Sequence, residues 1–101
     1  MRKKQIIEYL KVKKIATVRQ ISIDLDIKYN HVYTYLLELY LKGIAECVDV
    51  DELWPHARKP CRVRYWFLPE NREIVKEFLE RQPNIKIVRW YTHGDKIPSL
   101  Y

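Results

Sequence analysis

"TVRQISIDLDIKYNHVYTYLLELYLKGIAE", residues 17–46, decides how the chain is read. It opens on Thr17 with Gln20 three positions later. That is capping-box spacing, in which the hydroxyl accepts from a free helix N–H and the Gln reaches back. Val18, Ile21 and Leu25 then recur on one face and predict a helix over 18–25. "DIKY" breaks it. Val32, Leu36 and Leu39 predict the next helix over 29–42, and Gly43 supplies its stop.

Upstream, Ile6, Ile7 and Leu10 predict a helix over 2–13, and "IATV" reads as a short extended piece. Downstream the period changes to two. "IAECVDVD" (44–51) and "RVRYWFL" (62–68) predict strands, joined by the long hairpin loop "ELWPHARKP". Pro69 ends the second strand. "ENREIVKEFLERQ" predicts a helix with Ile74, Val75, Phe78 and Leu79 on one face, stopped by Pro83. "IKIVRWY" (85–91) reads as a last strand and "THGDKIPSLY" as a tail. The expected organisation is an α+β domain over 1–82 and a C-terminal extension over 83–101, suited to dimerisation.

This order resembles a winged helix-turn-helix domain, as in regulators of the MarR and ArsR type and small DNA-binding proteins of archaea and their viruses. The family's turn before the recognition helix, its Val-x-x-x-Leu stripe and its Lys-Gly closure are matched by Leu25-Asp26-Ile27, Val32 with Leu36, and Lys42-Gly43-Ile44. Asp26 stands where the turn often has Gly; Asp tolerates the left-handed conformation better than most residues. "RVRYWFLPEN" resembles the final wing strand and the start of the following helix. The resemblance covers about residues 2–80. It implies a sequence-specific double-stranded DNA-binding protein, a transcription regulator, with helix 29–42 in the major groove and wing 51–61 on the backbone or minor groove.

At 100° per residue, helix 29–42 turns Val32, Leu36 and Leu39 inward and Asn30 and Thr34 outward. Tyr35 and Tyr29 read as core aromatics. His31 and Glu38 flank the outer face on one edge and Tyr33 on the other. Asn pairs with adenine in both directions, and Thr contacts a thymine methyl or a base edge. Lys28, His31 and Tyr33 would hold phosphates, and the helix N-terminus attracts one. Glu38 would repel a close backbone. His56, Arg58 and Lys59 give the wing a basic tip. Thr17, Arg19 and Gln20 begin the helix that crosses the backbone in such proteins. Asp49, Asp51 and Glu52 imply that the first strand faces away from DNA.

Composition agrees with an anionic partner. The 101 residues carry a net charge of +6, and the excess is segregated. Residues 1–43 hold nine Lys/Arg against four Asp/Glu; residues 44–101 hold ten against nine. No apolar run is long enough for a bilayer. "MRKKQIIEYLKVKK" lacks the long apolar centre and the cleavage site of a signal peptide, so a cytoplasmic chain is expected (host cytoplasm if viral). Few Gly and abundant Ile, Tyr, Lys, Arg and Glu hint at a thermophilic source.

Cys47 and Cys61 fall on the two wing strands. A disulfide within the chain or across a dimer, or free thiols, all remain open. Cys47, His56, Cys61 and His93 lack metal-ligand spacing, so no metal is expected. With no phosphate loop and no catalytic constellation, neither an enzyme nor a cofactor is expected, and no small-molecule ligand is evident. The competing reading is a winged-helix protein-interaction module, with Leu37 and Leu41 as a docking face. A homodimer is expected. Ile74, Val75, Phe78, Leu79, Ile85, Ile87, Trp90 and Tyr91 exceed what a lid over Ile6, Ile7 and Leu10 requires.

Overall fold

The computed structural model describes residues 2–98. Helix α1 (Arg2–Lys13) leads to α2 (Val18–Leu25) and α3 (Tyr29–Leu41). Strands β1 (Glu46–Glu52) and β2 (Cys61–Phe67) follow as a hairpin. A 3-10 turn at Pro69–Asn71 opens α4 (Arg72–Glu80), and β3 (Ile85–Tyr91) completes an antiparallel sheet of order β2-β1-β3. The chain is therefore a small α+β domain of four α-helices and three strands among the described residues.

The helix ends are set locally. Thr17 Oγ1 accepts from the Gln20 N–H (3.1 Å) while Gln20 Oε1 accepts from the Thr17 N–H (2.8 Å). The capping box therefore forms as the sequence predicts. Asp26 ends α2 in the left-handed conformation (φ 52°), and the Ile27 N–H closes onto the Ser22 carbonyl (3.1 Å). Gly43 (φ 75°) ends α3 in the same way. Its N–H reaches Tyr40 O (3.0 Å) and the next, of Ile44, reaches Leu39 O (2.9 Å). Ala16 pairs with Trp66 through both backbone groups, so the short extended piece is a single bridge onto β2.

The sheet separates two cores. On one face Ile6, Leu10, Ile21, Val32, Leu36 and Leu39 of α1–α3 pack on Cys47, Trp66 and Tyr91. On the other, Val75 and Leu79 of α4 pack on Val48, Val50 and Phe67. Helix α1 packs on α2 and α3 within the first core; α4 covers the far face and gives α1 no lid. Arg72 of α4 is tied to the buried Glu46 of β1, with Nε 2.9 Å from Oε1.

Residues 85–91 are a structural strand and not an appendage. β3 pairs along β1 from Cys47↔Tyr91 to Glu52↔Ile85, with a bulge between Asp49 and Val50. The expected boundary at residue 82 therefore cuts through one domain. The tail is also fastened. The Tyr40 hydroxyl lies between the Thr92 and Asp95 carbonyls (2.7 Å to the latter), and Ile97 joins the core. Residues 99–101 of the expected tail lie outside the described residues.

The β1–β2 register settles the cysteines. Cys47 stands opposite Trp66, and Cys61 stands opposite Glu52, five positions along β1, about 16 Å at strand rise. A bridge within the chain is ruled out by that separation, and both thiols are free. Cys47 is buried and Cys61 exposed. Burial pushes the Cys47 thiol up to about 12.

Candidate nucleic-acid interface

Asn30, His31 and Thr34 are exposed on α3, as the wheel predicts. The Thr34 hydroxyl donates to the Asn30 carbonyl (2.9 Å), so its methyl group is the part left for a partner. Lys28 stands at the N-cap without a side-chain cap bond, and the first turn of α3 carries no acid. That end keeps its positive field. Tyr33 and Tyr35 are partly buried against the helical core. Tyr29, expected inside, is 37% exposed, because it faces a cavity and not the core.

Helix α1 adds residues that sequence reasoning missed. Arg2 Nη1 lies 3.3 Å from His31 Nδ1, and Lys3 pairs with Glu38. Glu38 is therefore neutralised and does not present the bare repulsive charge expected of it. The signal was the basic "RKK" start, but only the α1–α3 packing places it beside α3. Arg2, Ser22, Lys28 and His31 together line an open depression at the α2–α3 turn.

On α2, Arg19 and Gln20 are exposed. Thr17 and Gln20 spend their main capacity on the capping box, which leaves Arg19 as the outward cation. In the β1–β2 loop, His56, Arg58 and Lys59 are all exposed, with His56 in a left-handed turn (φ 69°). None of the three makes an ion pair among the described residues.

The acids of β1 do not form a solvent face. Asp49 lies on the same side of the sheet as Cys47 and is buried against Arg64, with Nε–Oδ1 at 2.7 Å and Nη2–Oδ2 at 3.2 Å. Asp51 pairs with Arg62 (2.8 Å), and Glu52 accepts from the Tyr65 hydroxyl (2.5 Å). For two of them the reason is the register: Asp49 and Asp51 stand directly opposite Arg64 and Arg62 across the ladder. These three acids are therefore paired within the hairpin and are not free surface charge.

Between the start of α2, the first turns of α3 and the β1–β2 hairpin lies a cavity of about 320 Å³. Arg19, Tyr29, Tyr33, Trp54, Arg62 and Arg64 are among its walls. The exposed face of α3 is thus bordered by cations on both sides. Among the described residues no group of His, Cys, Asp and Glu could hold a metal ion, and no helix is long and apolar enough to cross a membrane. Compared with protein-family models, with curated proteins and with solved structures, the chain matches none.

Proposed function

We propose that the chain is a winged helix-turn-helix protein that binds double-stranded DNA sequence-specifically and acts as a transcription regulator. In this reading α3 enters the major groove and the β1–β2 loop grips the backbone or the minor groove. The observation that carries it is the outward face of α3. Asn30, His31 and Thr34 are exposed there, with Arg2 and Lys28 on one side and Arg19 on the other. These are groups that read base edges, set among groups that hold phosphates. The order of helix, bridge residue, helix, turn, helix and hairpin supports the fold assignment.

A homodimer completes the proposal. On α4, Ile74 is 51% and Phe78 is 47% exposed, and they lie one turn apart beside the stripe that covers the sheet. A two-fold partner on that face would set two copies of α3 about 34 Å apart, one turn of DNA.

Leu41, 72% exposed at the end of α3, favours a second reading, a docking face for another protein. Mobility-shift titration of a duplex at two salt concentrations separates the two. DNA binding weakens steeply with salt, and Arg58→Ala with Lys59→Ala flattens the slope by about one to two units. Absence of any shifted complex at low salt sinks the DNA reading. An unchanged slope in the double variant removes the wing from the interface.

A further inference from the structure

The cavity between α3 and the wing has features that reading a duplex does not use. Its floor includes Arg64 and Trp66, both buried. Arg64 Nη1 and Trp66 Nε1 are hydrogen-bond donors with no partner among the described residues. Buried donors are rarely left so; both atoms are closed to solvent and lie behind the cavity wall. Arg19 and Arg62 stand on the same walls. Tyr29, Tyr33 and Trp54 supply flat apolar surface, and Trp54 is 51% exposed although a fold of this size gains nothing from leaving an indole in water. The volume, about 320 Å³, lies at the small end of ligand pockets.

From the aromatic and cationic walls we infer that the cavity receives one nucleotide: a planar base among the aromatic side chains and its phosphate toward Arg19 and Arg62. A base offers a π-face to stack on aromatic side chains. A phosphate matches the guanidinium geometry. The occupant is either a free mononucleotide or a nucleotide extruded from the DNA held by α3. The inference deepens the DNA reading by adding a site for an unpaired nucleotide beside the duplex interface.

Two of the three tryptophans, Trp54 and Trp66, line the cavity, while Trp90 packs on Phe67 at the other face of the sheet (ring centroids 5.6 Å apart). Intrinsic fluorescence therefore reports on occupancy. The full chain is titrated with a mononucleotide, a perfect duplex and the same duplex carrying a one-nucleotide bulge. The bulged duplex should bind about tenfold or more tighter than the perfect one, with quenching, as one base stacked on an aromatic side chain gives. Trp54→Ala should bring the ratio of the two affinities to one, with circular dichroism confirming the fold. Saturable quenching by the mononucleotide, without a bulge preference, assigns the site to the free nucleotide. That result upholds the inference even if no duplex binds. Tight binding of the perfect duplex with equal affinity for the bulged one, and no quenching by the mononucleotide, overturns the inference and leaves the duplex reading intact.

Discussion

Arg64 and Asp49 form a doubly hydrogen-bonded ion pair across β2 and β1, both side chains 2% exposed. Arg64 also donates to the Pro98 carbonyl (2.8 Å) and lies 5.6 Å from the centroid of the Tyr91 ring. One guanidinium thus joins the hairpin, β3 and the segment that follows β3.

Removing one partner should be far costlier than removing both. Asp49→Ala leaves a buried cation unpaired, and urea denaturation should show a loss of about 3–5 kcal/mol. Asp49→Leu with Arg64→Met should recover most of that loss. A loss under about 1 kcal/mol for Asp49→Ala would mean that the pair is solvated in solution.

Alkaline pH should destabilise the fold partly through Cys47. Its folded thiol titrates near 12, against an ordinary value of 9.0. Between those values the unfolded chain loses a proton that the folded chain keeps, so stability falls as pH rises from about 9 toward 12. Tyr9, raised to about 12 by burial and by its hydrogen bond to Asp24, adds to the same trend. Denaturation at pH 8 and pH 10.5 should show a smaller drop for Cys47→Ala than for the parent chain. A thiol reagent should modify Cys61 at once and Cys47 only on unfolding. Rapid modification of both would contradict the burial of Cys47.

The left-handed helix stops predict opposite signs. Gly43→Ala places a Cβ at φ 75° and 3.4 Å from His93 Nδ1, which is nearly ordinary contact, so the backbone term dominates at about 1–2 kcal/mol. Lys14 holds φ 72° without being glycine, and Lys14→Gly should stabilise by up to about 1 kcal/mol. Thermal melts of both variants decide it; shifts of the same sign would be incompatible with these stops.

The features legible in the sequence are those set within a few residues. Thr17 with Gln20 fixed the start of α2, and Gly43 the end of α3, because each acts on hydrogen bonds inside its own turn. The period of two marked β1 and β2, but not which strand lies at the centre. That depends on β3 returning to β1, a pairing decided by burial of Ile85, Ile87 and Tyr91 and not by any local signal. The acids of β1 looked like surface charge because their partners Arg62 and Arg64 are more than ten residues away. Of the candidate interface, the exposed face of α3 and the tip of the β1–β2 loop were legible. Arg2, Lys3 and the cavity were not, since helix packing and the hairpin together create them.

The dimer proposal has a direct check. Because β3 is integral to the sheet, truncation at Gln82 would test folding, and point variants serve better. Light scattering on the intact chain should give twice the mass of 12.4 kDa, and Ile74→Asp with Phe78→Asp should return it to the monomer mass. A monomeric parent chain, or a variant that stays dimeric, contradicts the α4 interface.

The central claim, that α3 reads bases, is tested most directly by the affinity of Asn30→Ala for a site selected from random duplexes and for an unselected duplex. The variant should lose about 1–3 kcal/mol on the selected site and little on the other, so that the preference collapses. Equal losses on both duplexes would make Asn30 a backbone contact, and no loss on either would remove α3 as the reader.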